Sequence, residues 1–243
     1  MLAKKVPVLN VMIDAVTMGE AVDILENYIN EKKTHFVATA NAEMIMMAND
    51  DHELLKILNK ADLVVPDGAG TVWAARHHGY TMPERVAGYD LVQKLLKRAA
   101  KSKIKFFFLG SAPGIAEKAK KNAEEKYIGL QIVGTKDGYF SLEEEPALIQ
   151  EIKSVKPDVL LVALGVPRQE KWIMKHLAEL DVSVAIGVGG TLDVMAGVVK
   201  RAPLWMQRAK LEWLYRGLLQ PKRIGRLMAL PRFVFKVCAL KKY

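Results

Sequence analysis

Apolar residues along the chain follow two alternating patterns. Short, nearly unbroken runs rich in aliphatic residues occur at Val6 to Ile13, His35 to Ala40, Leu63 to Val65, Ile104 to Leu109, Leu130 to Gly134, Asp158 to Ala163 and Val182 to Ile186. Between them lie longer segments with apolar residues at helical spacing. The runs predict strands buried on both faces, and the periodic segments predict the helices that cover them. Thr17-Met-Gly-Glu20 has capping-box spacing and predicts a helix running to about Glu31. Asn41 is placed to cap a helical run reaching Lys60, and further helices are predicted over Val72 to His78, Tyr89 to Ala100, Ile115 to Lys126 and Leu142 to Val155. Another opens near Pro167, a residue suited to a first helical turn. This order predicts an α/β fold of Rossmann-like type, with a largely parallel sheet and helices on both faces.

In a parallel sheet the segments after the strands gather on one edge, where open α/β sheets place their ligand chemistry. Here they are Thr39-Ala-Asn41, Pro66-Asp-Gly68, Gly110-Ser111, Asp137-Gly-Tyr139, Gly165 to Glu170 and Gly187 to Asp193. Amides, hydroxyls and small residues dominate, which suits a nucleotide or diphosphate lying over helix N-termini. In the stretch Ala61 to Thr71, Pro66 ends a strand and Gly68 and Gly70 permit a sharp turn, with a helix expected from about Thr71. Asp67 is thereby held at a strand end. Two roles are open to it: a helix cap or Asx-turn, or a carboxylate that accepts a proton from a substrate hydroxyl. Asp193 is the second such acid.

Known motifs narrow the chemistry. Gly187-Val-Gly-Gly-Thr-Leu192 supplies two glycines of a dinucleotide fingerprint, but Leu192 occupies the third position, which weakens a nicotinamide-dependent oxidoreductase. Gly110-Ser-Ala-Pro-Gly114 is not a Walker A loop, and no G-x-S-x-G serine elbow occurs. The five histidines show no zinc spacing, and no D-x-D pair is present to hold a magnesium-bound diphosphate; neither a metal nor any other cofactor is expected.

Charge divides the chain. Residues 1–193 hold 24 Lys and Arg against 26 Asp and Glu, a balance of −2, whereas residues 194–243 hold 12 against the single acid Glu212, a balance of +11. The division predicts an α/β catalytic domain over residues 1–195 and a basic, helical appendage over 196–243, punctuated by Pro203, Pro221 and Pro231. Its mixture of Trp205, Trp213, Tyr215, Phe233 and Phe235 with lysine and arginine suits a helix lying on an anionic membrane surface. No run is long enough to span a bilayer, the N-terminus is a poor signal peptide, and the single cysteine, Cys238, fits a reducing compartment. The expected location is cytoplasmic, peripheral to the membrane. A nucleic-acid partner would also use a basic tail, but no helix-turn-helix, RRM or zinc module is visible.

Several segments, in order, resemble the motifs of the WecG/TagA/CpsF glycosyltransferases: Thr39-Ala-Asn-Ala-Glu43, Ala61 to Gly70, Arg85-Val-Ala-Gly-Tyr-Asp90, Leu164-Gly-Val-Pro-Arg-Gln-Glu-Lys-Trp172, Gly187 to Asp193, Arg201-Ala-Pro-Leu-Trp205, Leu211 to Arg216 and Pro221 to Arg226. The resemblance implies an inverting, metal-independent transfer of N-acetylmannosamine from UDP to undecaprenyl-diphosphate-linked N-acetylglucosamine, the linkage unit of wall teichoic acid. A transferase using the uronic acid of that sugar is the alternative. It further implies that Asp67 is the general base, and that Thr39, Asn41, Arg85 and Gln169 line the sugar and phosphate pocket. Gly110, Gly138, Tyr139, Gly165 and Asp193 are candidate contacts to the nucleotide or diphosphate. A departing UDP needs a cation nearby; Arg85 and Arg168 in the body, and Arg216, Arg223 and Arg226 in the tail, are the candidates.

Overall fold

Six of the apolar runs pair side by side, all in one direction. The computed structural model describes residues 4–31, 33–209, 211–219 and 229–239. Its elements are β1 (Lys5–Val8), β2 (Val11–Asp14), α1 (Met18–Asn30), β3 (His35–Ala40), α2 (Ala42–Asp50), α3 (His52–Lys60), β4 (Leu63–Pro66), α4 (Ala69–His77), α5 (Gly88–Ala99), β5 (Lys105–Gly110), α6 (Ile115–Lys126) and β6 (Gln131–Lys136). There follow α7 (Glu145–Val155), β7 (Val159–Ala163), α8 (Arg168–His176), β8 (Val184–Gly187), α9 (Thr191–Met195), α10 (Leu204–Arg208), α11 (Glu212–Leu219) and α12 (Ala229–Ala239). The main sheet has the order β4-β3-β8-β7-β5-β6, and all its pairings are parallel.

Successive side chains of a strand point to opposite faces. Phe107, Leu109, Leu160, Val162 and Ala185 therefore enter one core layer with α2, α3, α7 and α8. Phe106, Phe108, Val159, Leu161, Val184 and Ile186 enter the other with α1, α5, α6 and α9. The chain leaves β5 for α6 on one face and β7 for α8 on the other; likewise β3 leads to α2 and β8 to α9 on opposite faces. Such neighbouring divergences open a crevice at the carboxyl edge of a sheet.

Several expectations need correction. Val6 to Ile13 is not one strand of the parallel sheet. It folds back at Leu9 and Asn10, with Leu9 at φ 53°, into the antiparallel hairpin β1-β2. Buried Asp14 locks this hairpin beside the sheet, accepting the Val64 N–H of β4 at 2.7 Å and the Lys5 ammonium at 3.0 Å. The helical run after Asn41 divides at Asp51, whose carboxylate accepts the N–H groups of Glu53 and Leu54 and so starts α3 anew. The helix after Asp67 begins at Ala69, two residues before Thr71. Pro231 does not break the tail; it lies within α12. Thr17 forms the anticipated capping box with Glu20, and Asn41 caps α2 through the Met44 N–H.

The tail touches the body. Phe233 and Val237 of α12 are fully buried, and a Cβ placed on Gly70 of α4 would come within 3.7 Å of the Phe233 ring.

One position of the edge admits no side chain. Gly110 has φ +122°, and a Cβ there would meet the Ala163 carbonyl oxygen at 2.4 Å. Gly110→Ala is expected to destabilise the fold by about 2–4 kcal/mol through backbone strain and overpacking. A lowered urea midpoint at unchanged m-value checks this.

Candidate active site

Read across the sheet, the carboxyl edge presents Asp67 after β4, Asn41 after β3, the Gly187–Asp193 loop after β8, the Leu164–Gln169 segment after β7, Gly110 and Ser111 after β5, and Asp137 to Phe140 after β6. With parallel strands about 4.8 Å apart, Asp67 and Gly110 are roughly 19 Å apart along this edge.

The Asp67 end is built by main-chain contacts. The Asp67 N–H donates to the Ala40 carbonyl at 3.0 Å, extending the β3-β4 ladder by one residue. Its carboxylate Oδ1 accepts the N–H of Gly88, the first residue of α5, at 2.9 Å. Asp67 therefore does cap a helix, but α5 rather than α4, whose N-cap is Gly68. This contact sets the carboxylate against the partial positive charge of a helix N-terminus. Arg85 donates from Nε to the Asp67 carbonyl at 2.6 Å and from Nη2 to Glu212 Oε2 at 2.9 Å. Thr39, buried on β3, donates to the Gly187 carbonyl at 3.0 Å. A Cβ on Gly88 would lie 3.0 Å from the Thr39 methyl, so the start of α5 passes directly over β3. Asn41 lies against Gly68, within 3.2 Å of where a Cβ would stand.

The middle of the edge is tied together by Gln169. Its side-chain carbonyl accepts the Gly189 N–H at 3.0 Å, and its Nε2 donates to Glu170 at 2.7 Å. At the far end Arg168 donates to the Gly138 carbonyl at 2.9 Å, and its guanidinium covers the Phe140 ring at 5.1 Å. Ser111 Oγ lies 3.4 Å from Asp193 Oδ2, linking the β5 and β8 loops. Tyr139 is 77% exposed and projects beside this cluster on a turn fixed by Asp137. Gly165 has φ +79°, the left-handed region that favours glycine.

Of the residues singled out from sequence, Asp67, Arg85, Thr39 and Asn41 gather at one end, Gln169 in the middle, and Gly110, Gly138, Tyr139, Arg168 and Asp193 at the other. Arg216 lies in α11, within the described backbone; Arg223 and Arg226 lie outside the described residues. Among the described residues no three His, Cys, Asp or Glu side chains form a group able to hold a metal ion. Residues missed from sequence are Gly88, Asp90, Arg201, Glu212 and Glu170. The isolation of Glu212 in a basic tail was one available signal, and Asp90, Glu170, Arg201 and Glu212 all stand inside the family-like segments; no local pattern singled them out there, since charged residues usually read as solvated.

Glu170 sits in the first turn of α8 and is fully buried. The buried face of that helix carries Gln169, Trp172, Ile173 and His176, and Glu170 is drawn in beside them. Its Oε1 receives Gln169, while Oε2 has no hydrogen-bond partner among the described residues. Burial pushes its carboxyl up to about 7, against the lowering effect of the Gln169 hydrogen bond. The folded state therefore holds a proton that the unfolded chain releases near pH 4.5, so stability falls as pH rises from about 4.5 to about 7 and then levels off. Glu170→Gln, which cannot ionise, is expected to be more stable than wild type by roughly 1–3 kcal/mol at pH 8 and indistinguishable at pH 4.5. Chemical denaturation at the two pH values checks this.

Comparison with known proteins accords with this geometry. The model of the glycosyl transferase WecG/TagA/CpsF family matches residues 6–243. A protein of Staphylococcus aureus (strain NCTC 8325 / PS 47) named N-acetylglucosaminyldiphosphoundecaprenol N-acetyl-beta-D-mannosaminyltransferase is 35% identical over 240 residues, covering 98% of this chain and 94% of its own length. Its counterpart of the same name in strain MRSA252 is similar to the same extent. The chain belongs to the WecG/TagA/CpsF family of glycosyl transferases.

Proposed function

We propose that this chain transfers N-acetylmannosamine from UDP onto N-acetylglucosamine carried by undecaprenyl diphosphate, forming the linkage-unit disaccharide of wall teichoic acid. The observation that carries this reading is 35% identity, over 98% of the chain, to relatives named for mannosaminyl transfer to that acceptor. The geometry supports it further. An edge of roughly 19 Å, four strand spacings, suits an extended nucleotide-sugar. The nucleotide lies toward Ser111, Gly138, Tyr139 and Asp193, and the sugar toward Thr39, Asn41 and Asp67.

In this reading Asp67 takes the proton of the acceptor hydroxyl as that oxygen bonds to the anomeric carbon. The bond from that carbon to the β-phosphate oxygen breaks, and its electron pair leaves with UDP. A single displacement from the opposite face inverts the anomeric configuration. Charge developing on UDP is met by Arg168 at the start of α8 and by the tail arginines Arg216, Arg223 and Arg226, with no metal required. Arg85 is committed to Asp67 and Glu212, so its contribution is to hold the base.

The acceptor is lipid-linked, and the chain meets it at the membrane. Among the described residues no helix is long and apolar enough to cross a bilayer. Leu204 and Trp205 are 70% and 65% exposed on α10, beside a strongly basic sequence, and suit insertion into the headgroup layer of the inner face of the cell membrane.

Three outcomes test the proposal. In a matrix of UDP-sugars with a short-chain lipid-diphosphate acceptor, UDP-N-acetylmannosamine is the preferred donor; preference for the uronic acid reassigns the donor. Asp67→Asn lowers kcat about 10²- to 10⁴-fold while UDP binding persists; undiminished transfer removes Asp67 as the base. Leu204→Ser with Trp205→Ser reduces co-sedimentation with anionic vesicles while leaving turnover of a soluble acceptor intact. These surface changes are preferable to truncation, because Phe233 and Val237 are buried in the body.

A further inference from the structure

Glu212 is the single acid among the twelve basic residues of positions 194–243, and the structure buries it to 5% exposure. A carboxylate so placed is costly unless paired. Two guanidinium groups flank it: Arg85 Nη2 at 2.9 Å from Oε2, and Arg201 Nε at 3.2 Å from Oε1. Each arginine has a second anchor. Arg85 reaches the Asp67 carbonyl at 2.6 Å. Arg201 grips both carboxylate oxygens of Asp90, at 2.6 and 3.2 Å, with its guanidinium over the Tyr89 ring at 4.6 Å. Asp90 lies in the first turn of α5, and the first residue of that helix, Gly88, donates to the Asp67 carboxylate at 2.9 Å.

The contacts close on themselves. From the Asp67 carboxylate they run through Gly88 and the first turn of α5 to Asp90, Arg201, Glu212 and Arg85, and return to the Asp67 carbonyl. The main chain and the side chain of one aspartate are thus held by opposite ends of one chain of contacts. Arg201 and Glu212, from the segments after α9, are the links that join those ends.

We infer that Glu212 and Arg201 are positioning residues for the transfer reaction, fixing the Asp67 carboxylate by clamping Arg85 to the first turn of α5. The inference rests on the reading of Asp67 as general base. Asp67 is then correctly aimed only when α11 is docked, so the segments after α9 act on the chemistry through the protein as well as through any substrate contact. Fixing a reacting group within a fraction of an ångström is what such a clamp contributes, and a misplacement of about 1 Å can cost on the order of 100-fold in rate.

A double-mutant cycle tests this. Glu212→Gln keeps the shape of the side chain and removes its charge; Asp67→Asn removes the base. In the full-length protein Glu212→Gln is expected to lower kcat about 10- to 100-fold with KM for the UDP-sugar changed less than about 3-fold. In the Asp67→Asn background the same substitution is expected to lower the residual rate less than about 3-fold, because no base remains to be misaimed. Arg201→Lys, which keeps the charge but loses the two-pronged hold on Asp90, supplies a second variant with the same expected pattern if Glu212→Gln does not fold. Equal fold-losses in both backgrounds mark a merely structural pairing and overturn the inference, as does unchanged kcat in Glu212→Gln while Asp67→Asn is impaired. Full activity of Asp67→Asn overturns the general-base reading itself, and this inference with it.

Discussion

Everything at the candidate site depends on the parallel ladder. Strands that all run one way deliver all their carboxyl ends to one edge, and right-handed crossovers then cover both faces with helices. The central pairs β8-β7 and β7-β5 consist almost wholly of aliphatic residues and phenylalanine, so each is buried on both sides. At the edge the same ladder sets spacing finely enough that only a glycine fits at Gly110, against the Ala163 carbonyl. The polar loops inherit their positions from this apolar frame and contribute little to it.

Charge at the edge comes from two directions. The body supplies helix N-termini and a few fixed side chains: α5 behind Asp67, α8 behind Arg168 and Gln169. The basic segment after α9 supplies arginines, and its one acid, Glu212, faces inward between one of them, Arg201, and Arg85 of the body. For Arg201, burial draws the guanidinium down, but Asp90 and Glu212 outweigh it and hold the charge above its ordinary range. A strongly basic tail can therefore lie against a site that handles phosphate without bringing every guanidinium into it.

Glu170 shows the complementary case, a carboxyl set beneath the edge and pushed up to about 7 by burial. It orients the Gln169 amide, whose other end holds the Gly189 N–H. The loop after β8 is thereby fixed from below by a polar pair inside an otherwise apolar layer. Such a pair contributes little to stability and a good deal to a single geometry, because a flipped amide would face Glu170 and the Gly189 N–H with the wrong atoms.

The amino-acid pattern by itself determined the α/β class, the parallel sheet, most element positions and the family motifs, because periodicity and capping are local properties. It also placed Asp67, Asn41 and Gln169 on the edge, since strand ends are visible wherever an apolar run stops. The hairpin reversal at Leu9 and Asn10 was hidden because a nearly unbroken apolar run of eight residues reads equally well as one strand or two. Only the tertiary structure decided that Asp67 caps α5, that Arg85 faces Glu212, and that Arg201 reaches Asp90 from 111 positions away. Those contacts join residues whose local sequence carries no record of one another. A charge in a helix reads as solvated until the packing of distant segments removes the water around it.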